Sequence, residues 1–413
     1  YFMISLEKVR DTILLRIQRL PEEQIAIERA TGRTLAHPVM TRDAIPPFDN
    51  TAMDGFVIQS QDLKNASSEN PVTLPVAGII EAGMPGNIPL LPGQAMRIYT
   101  GAVVPPGGEA IVPFELCEQV GRDSVTFTQE APRGAHIRKK GEDVEEGGEV
   151  LTTGSKLTPA AIGLLASVGA TEVSVFKKPV VAVHSSGNEL VPVGSSLEPG
   201  KIRNSNLYSL CSRIERWGAT ALPRPVLMDD LDSIRTGLLE TIAQKPDVIL
   251  TTGGISAGDL DFIRDVAKEM GEDVEIRKVA MKPGKPLVDG TLGGIPFFGL
   301  PGNPAACLVS FEMFVRPALA VLEGRQDGIP PQRNGVLKEG CRLPAGQRLR
   351  WLRGRVQPDP SGGLDKIELP GGQGSHLLTG FATANCLVQV PASETDLAPG
   401  SPVTYWSLTE EDA

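Results

Sequence analysis

The sequence predicts a mixed α/β multidomain protein, and its length and composition support that fold class. The chain has 413 residues, more than one hydrophobic core usually organises, so two to four domains are expected. Hydrophobic residues make up 41% and charged residues 22%, which are the proportions of an ordinary globular chain and exclude a disordered one. The 45 glycines and 35 prolines predict many turns and sites built on loops.

Two predicted helices flank a β-rich stretch in the first part of the chain. Apolar residues recur at helical spacing after Ser5, which can cap the first helix, and a second helix is predicted over residues 157–170 with Thr158 as its cap. Between them, short β runs are separated by Pro-Gly turns, as in an all-β domain with projecting loops. The pattern predicts a discontinuous N-terminal linker domain, residues 3–45 and 146–178, into which a β-rich domain, residues 46–145, is inserted.

Strands and helices alternate in the next part of the chain. Short apolar runs are predicted to be buried strands, and Gly218 is predicted to end one helix in a left-handed conformation. Alternating βα units imply a parallel, doubly wound sheet with helices on both faces, and such sheets bind ligands beyond the carboxyl ends of their strands. An α/β domain is therefore predicted over residues 179–325. Dense glycine and proline turns then predict a C-terminal all-β domain over residues 326–413.

The charge and cysteine patterns exclude several classes of protein. The net charge of −10 disfavours nucleic-acid binding, which depends on lysine and arginine neutralising phosphates. No apolar run approaches the roughly 18–20 residues that span a bilayer and no basic, apolar leader opens the chain, so we expect no membrane partner and a cytoplasmic location. The five cysteines are scattered without a CxxC pair and four histidines occur, which suits a reducing compartment and argues against a zinc site.

Two glycine-rich loops follow predicted strands and precede predicted helices. In the first, residues 251–258, three glycines let successive backbone N–H groups point at one anion, and the helix dipole favours negative charge there. The second, residues 299–304, repeats this arrangement after another strand. Each loop alone could equally be a tight strand-to-helix turn, but the two together favour an anionic ligand. The candidate binding residues in these loops are Thr252, Gly253, Gly254, Ser256, Gly258, Pro301, Gly302 and Asn303.

Lysines and carboxylates add charge around these loops. Lys278 and Lys282 would share one face of an extended run, and Lys285 follows a Pro-Gly turn; such ammonium groups suit phosphate or another oxyanion. In isolation this charge run could equally be a solvated strand face. Carboxylates clustered beside a bound phosphate would hold Mg²⁺, which prefers about six oxygen ligands. The acids in loop settings are Asp49, Asp54, Asp143, Glu189, Asp229, Asp230, Asp259 and Asp261.

Over essentially its whole length the chain resembles the molybdopterin molybdenumtransferases, the molybdenum insertases that include MoeA and the E domain of gephyrin. The resemblance rests on ordered segments: PPFDNTAMDGF (46–56), RIYTGAVVPPG (97–107), IRKKGEDV (137–144), SSGNEL (185–190), TTGGISAGDLD (251–261), MKPGKP (281–286), GLPGNP (299–304) and GGQGSH (371–376). It implies four domains, one of them an α/β molybdopterin-binding domain, and an elongated homodimer.

The activity that the resemblance implies is insertion of molybdate into adenylylated molybdopterin. Mg²⁺-dependent release of AMP accompanies this insertion and yields the molybdenum cofactor. The implied protein partners are the molybdopterin adenylyltransferase and the molybdoenzymes that receive the cofactor. The family active site is thought to form where the α/β and C-terminal domains of one subunit meet the inserted domain of the other.

The resemblance also implies functional residues, position by position. The implied catalytic residues are Asp54, Thr100, Asp143, Glu189, Asp229, Asp261, Lys278 and Lys282. We expect Glu189, Asp229 and Asp261 to supply the metal ligands, and the two glycine loops with Lys285 to bind the phosphates. The remaining implied residues, Arg353 and Ser375, are expected to form an oxyanion pocket for molybdate together with Lys282.

This chain departs from the family pattern at three positions. Asn188 and Asn204 stand where relatives often carry aspartate, and Asp259 stands where many carry glutamate. A neutral amide still forms hydrogen bonds but adds no charge to a cation site.

Two other functions share parts of this pattern. A molybdopterin adenylyltransferase has the same α/β domain but would need ATP and would lack the β domains. A non-catalytic dimeric scaffold of the same fold would bind protein partners and would have no need of the acids and lysines.

Overall fold

The computed structural model describes residues 3–255 and 262–408. The elements of its first part follow in chain order: α1 Leu6–Leu14, β1 Glu22–Ala26, β2 Val39–Met40, β3 Asn50–Thr51, β4 Gly55–Ile58, β5 Val72–Ile80, β6 Ala95–Ile98, β7 Ala110–Pro113, β8 Cys117–Val120, β9 Ser124–Phe127, β10 Ile137–Arg138, β11 Glu149–Leu151, α2 Pro159–Ser167 and β12 Glu172–Phe176. Short 3₁₀ turns lie at Ile27–Arg29, Ser60–Leu63 and Phe114–Leu116.

The second part of the chain continues the same numbering. Its elements are β13 Val180–Ser185, β14 Leu190–Val191, β15 Ile202–Arg203, α3 Ser205–Trp217, β16 Thr220–Pro223, α4 Leu231–Ala243, β17 Val248–Thr252, α5 Phe262–Met270, β18 Gly271–Lys278, β19 Met281–Lys282, β20 Pro286–Leu292, β21 Ile295–Leu300, α6 Pro304–Ser310, α7 Arg316–Leu322, β22 Arg333–Leu337, β23 Cys341–Arg342, β24 Leu349–Gln357, β25 Asp365–Glu368, α8 Thr379–Ala382, β26 Cys386–Val390, β27 Asp396–Leu397 and β28 Pro402–Ser407. A π-helical turn, Phe311–Val315, joins α6 to α7.

Residues 3–178 form three two-stranded ladders and one six-stranded sheet. Helix caps form where they were predicted: the Ser5 hydroxyl accepts from the Lys8 backbone N–H, and the Thr158 hydroxyl accepts from that of Ala161. Strand β1 pairs with β12, and β2 with β11, so chain segments on either side of the insertion lie together. The inserted stretch forms a six-stranded sheet in the order β7-β4-β6-β5-β9-β8. The residue boundaries of the domains stay a prediction.

The central sheet of the α/β part has the order β16-β13-β17-β21-β20-β18. Its first four strands are parallel, with helices on both faces, as predicted. The expectation of a parallel sheet is wrong at one edge, where β20 and β18 run antiparallel. The reason is the two-residue turn Gly293-Gly294 between β20 and β21. Both glycines have positive φ, 56° and 80°, the conformation that tight hairpins require and that glycine adopts without strain.

The longest helical stretch lies in the core beside this sheet. Pro304–Leu322 is long and apolar enough to cross a membrane by length and composition, and 89% of its most apolar window is buried within the protein. The expectation that no apolar run approaches such a length is therefore wrong for this stretch, whose position is that of a core helix. Within it, Arg316 donates to Glu312 at 3.3 Å, so its buried charges are paired.

The C-terminal strands form a closed β-barrel that is fastened to the α/β sheet. The order β24-β25-β22-β28-β26 closes because β26 also pairs with β24. Strand β19, which lies between β18 and β20 in the chain, leaves the α/β sheet and pairs with β24 instead. The pairing of β19 with β24 holds the barrel beside the carboxyl ends of the parallel strands.

Candidate active site

A cavity of about 1280 Å³ lies between the carboxyl ends of the parallel strands and the barrel. Among the described residues, six cationic side chains and three acids line it. The cations are Arg203, Lys282, Lys285, Arg342, Arg348 and Arg350, and the acids are Glu189, Asp229 and Glu339. A cavity lined mainly by positive charge, in a chain whose net charge is −10, concentrates anions locally. The geometry therefore suits an anionic ligand of considerable size.

The two glycine loops meet on the wall of this cavity, as the sequence predicted. Strands β17 and β21 are parallel neighbours, and the Gly253 N–H donates to the Leu300 carbonyl at 3.1 Å. Gly253 and Gly254 have φ of 95° and 64°, and a Cβ on Gly253 would lie 2.5 Å from the Ser186 carbonyl oxygen. Only glycine fits that close approach. Ser256 and Gly258 lie outside the described residues.

The lysines are placed differently from the prediction. Lys278 ends β18, whereas Lys282 belongs to β19 in the barrel sheet, so the prediction that they share one extended run is wrong. The reason is that the chain crosses from the α/β sheet to the barrel sheet just before β19. Lys282 and Lys285 line the cavity, and Lys278 is not among the described residues of its wall. The turn between Lys282 and Lys285 is held against Met281 and Ser310 by Gly284, whose φ is 96°.

Two carboxylates lie on the cavity wall beside the first glycine loop. Both oxygens of Asp229 accept hydrogen bonds at 3.0 Å, one from the Ser186 hydroxyl and one from the Asn188 backbone N–H. The Glu189 carboxylate packs against Gly187 and occupies the space that a Cβ at position 187 would fill. It accepts no hydrogen bond from any residue that the structure describes.

The carboxylates of Glu189 and Asp229 are of the kind that binds Mg²⁺, and Glu189 is the better placed of the two. Mg²⁺ is usually held by one or two carboxylates, with waters and substrate phosphates completing its shell. Glu189 offers at the cavity a carboxylate that no described residue engages, and Asp229 offers the remaining lone pairs of oxygens that hydrogen bonds already hold in place. The described residues contain no group of three or more metal-ligating side chains, and the third predicted ligand, Asp261, lies outside the described part of the chain.

The predicted catalytic residues of the inserted domain lie outside the described wall of this cavity. The Thr100 backbone N–H and hydroxyl both donate to Asp54 at 2.7 Å, and these bonds lower the pKa of the Asp54 carboxyl. Asp143 is exposed. None of these three residues is among those that line the described cavity, so one chain alone does not bring them to it.

Arg353 and Ser375 were predicted to form an oxyanion pocket with Lys282. The structure places the Arg353 side chain in the interior, with no exposed surface, and burial lowers the pKa of its guanidinium. Its Nη2 donates to the carbonyls of Gly372 and Gly374 at 2.8 and 3.2 Å. Arg353 is therefore not among the described cavity-wall residues, and it supports the loop that carries Ser375.

Ser375 itself reaches the cavity. Its hydroxyl accepts from the Asn303 amide at 3.3 Å, and its carbonyl accepts from the Ala305 backbone N–H at 3.0 Å. These bonds join the barrel side of the cavity to the second glycine loop. Pro301 and Gly302 line the same wall.

Three family models match consecutive parts of the chain. The MoeA N-terminal region (domains I and II) matches residues 4–169, a probable molybdopterin-binding domain matches residues 182–321, and the MoeA C-terminal region (domain IV) matches residues 336–408. The cavity lies between the second and third of these regions.

Whole-length relatives agree with these matches. The chain is 38% identical over 390 residues to molybdopterin molybdenumtransferase 2 of Mycobacterium tuberculosis, covering 93% of this chain and 95% of the relative. It is 34% identical to the molybdopterin molybdenumtransferase of a Nostoc species, covering 97% and 93%. A crystal structure of the MoeA protein of Pyrococcus horikosii superposes with a TM-score of 0.78 at 32% identity, covering 99% of this chain and 100% of that one.

The fold and these matches define a transferase of molybdenum cofactor biosynthesis. More particularly, the chain belongs to the molybdopterin molybdenumtransferase family.

Proposed function

We propose that this chain inserts molybdate into adenylylated molybdopterin, with Mg²⁺-dependent release of AMP, to give the molybdenum cofactor. The observation that carries the proposal is the large cationic cavity between the glycine loops and the barrel. Both substrates are anions, and the adenylylated pterin is large and carries linked phosphates. Assay of AMP release from adenylylated molybdopterin in the presence of molybdate tests the proposal.

The residues on each wall have distinct roles in this proposal. The glycine loops donate backbone N–H groups to the phosphates, and Lys282 and Lys285 add two positive charges beside them. Ser375, on the barrel side, offers a hydroxyl to molybdate near the pterin sulfurs. Arg353 acts indirectly, because its hydrogen bonds to the Gly372 and Gly374 carbonyls hold the loop that carries Ser375. Lys278 lies on the neighbouring sheet edge and is not assigned a contact with either substrate.

Metal binding belongs to the Glu189 side of the cavity. Glu189, Asp229 and Asp261 would hold Mg²⁺, which when bound offsets negative charge on the phosphoanhydride. The hydrogen bonds from Ser186 and Asn188 hold the Asp229 carboxylate in place beside the first glycine loop. The chemistry then needs positioning and neutralisation of charge more than a strong nucleophile.

We also propose that the enzyme works as a homodimer in the cytoplasm. Asp54, Thr100 and Asp143 do not line the described cavity of their own chain, so a second copy would bring them to it. In this arrangement a molybdopterin adenylyltransferase supplies the substrate, and molybdoenzymes receive the product. A scaffold of the same fold would bind partners without turnover, and an adenylyltransferase would consume ATP; the AMP-release assay separates all three.

A shared site predicts that two inactive variants restore each other. Asp54→Asn alters the inserted sheet and Glu189→Gln alters the α/β wall. After mixing and subunit exchange, half of the dimers are heterodimers with one intact site in two, so about a quarter of native activity should return. Light scattering should give twice the chain mass of 43.9 kDa.

Two outcomes would contradict the shared site. One is a persistent monomer at micromolar concentration. The other is a mixture that stays inactive although labelled subunits are shown to exchange.

A further inference from the structure

One side chain connects the two glycine loops of the cavity to each other. The amide nitrogen of Asn206, in the first turn of α3, donates to the Thr252 hydroxyl oxygen at 2.9 Å and to the Gly302 carbonyl at 2.7 Å. The Thr252 hydroxyl in turn donates to the Pro301 carbonyl at 3.0 Å. We call this set of three hydrogen bonds the Asn206 bridge.

The chemistry of the bridge allows only one orientation of the amide. A backbone carbonyl can only accept, so the group that faces Gly302 must be the NH₂ of Asn206. The Thr252 hydroxyl donates its single hydrogen to the Pro301 carbonyl. Its oxygen must therefore accept the hydrogen bond from Asn206. An aspartate of the same shape cannot make the contact with Gly302, because two acceptors would then face each other.

The helix that carries Asn206 is itself fixed. Asn204 caps α3 by accepting from the Leu207 backbone N–H at 3.3 Å, and it also accepts from the Ser185 hydroxyl of β13 at 2.8 Å. Asn206 is therefore presented from a helix start that is anchored to a buried strand, and its position does not depend on either loop.

We propose that Asn206 is a positioning residue that sets the separation of the two glycine loops for the phosphate-bearing substrate. Apart from this bridge, the bond from the Gly253 N–H to the Leu300 carbonyl joins the loops among the residues that the structure describes. Backbone N–H groups bind an anion well only when they converge on it, so a change of loop separation weakens binding without removing any donor. The ligand part of this inference rests on the proposed function.

Amide exchange in the free protein tests the bridge without any ligand. The reporter is the Gly253 N–H, whose hydrogen bond spans the two loops. Asn206→Ala and Asn206→Asp should each speed its exchange about tenfold or more, whereas Asn334→Ala, an exposed asparagine on β22, should leave it unchanged. Exchange as slow in Asn206→Asp as in the native protein would overturn the requirement for an amide donor.

Binding measurements test the positioning role. By calorimetry with adenylylated molybdopterin, Asn206→Ala and Thr252→Val should each weaken binding about tenfold, the scale of one net hydrogen bond. Because both break the same bridge, the double variant should also lose about tenfold, and the molybdate half-saturation should stay unchanged.

The outcomes separate this inference from the proposed function. A hundredfold loss in the double variant, or a parallel rise in molybdate half-saturation, would overturn the positioning role while leaving the function standing. Failure of the native protein to bind adenylylated molybdopterin would overturn the proposed function and the ligand part of the inference. The exchange of the Gly253 amide would still decide whether the bridge holds the loops.

Discussion

Replacing Gly302 with valine should abolish most binding of adenylylated molybdopterin while the chain still folds. A Cβ at this position would lie 3.4 Å from the Gly253 Cα, so the valine methyl groups would enter the narrow space between the glycine loops. Substrate phosphates would then be kept away from the backbone donors. Loss of one or two charge-assisted hydrogen bonds corresponds to about 3 kcal/mol, or roughly a hundredfold in affinity. Calorimetry measures this directly.

The matched control is Gly194→Val in the same α/β part of the chain. Nothing lies within 4 Å of a Cβ built on Gly194, so affinity and melting temperature should both stay close to native. Gly254 is unsuitable for this test, because its φ is 64° and a Cβ there would lie 2.7 Å from Ile263 Cγ1. Valine at 254 should destabilise the fold itself. Unchanged binding in Gly302→Val would contradict the assignment of the phosphates to these loops.

The second large effect should come from Glu189→Gln. This change keeps size and hydrogen-bonding capacity but removes a carboxylate of the predicted metal set that accepts no hydrogen bond from any described residue. Binding of adenylylated molybdopterin should persist, since less negative charge then faces its phosphates. AMP release should slow roughly 10²–10³-fold, the scale of losing one electrostatic contribution to a transition state. Single-turnover measurement of AMP separates the two effects.

Glu339→Gln provides the matched control for charge. Glu339 lines the same cavity on the barrel side, so its substitution removes an equal charge from the same space. The rate of AMP release should change by less than about threefold. If both variants slowed AMP release equally, general electrostatics and not the position of Glu189 would govern the reaction.

Local features of the fold could be predicted because local chemistry determines them. Ser5 and Thr158 cap helices through their own side chains, and Gly218 ends α3 with a φ of 102° as expected. The paired glycine loops were also predictable, since parallel neighbouring strands must place their carboxyl ends together. For the caps, the residue type and its immediate neighbours carry the information; for the paired loops, the alternation of strands and helices carries it.

Features that depend on contacts distant in sequence could not be predicted in this way. Lys278 and Lys282 are separated because β19 pairs with the barrel sheet, and the spacing of the two lysines does not indicate this pairing. Arg353 is buried because the loop at Gly372 and Gly374 and the Phe381 ring of α8 cover it, and these contacts are distant in sequence. Asn206 carries a weak signal, an asparagine two residues after a helix cap, and its significance emerges only when both loops are in view.

The most direct test of the central claim is a turnover experiment with the native protein. Adenylylated molybdopterin and Mg²⁺ are held fixed, molybdate is titrated, and both AMP and the finished cofactor are measured, the latter by activation of a cofactor-free molybdoenzyme. The account predicts that AMP and cofactor appear in equal amounts and that both saturate with molybdate. Tight binding of the substrate without release of AMP, or AMP release that ignores molybdate, would contradict it.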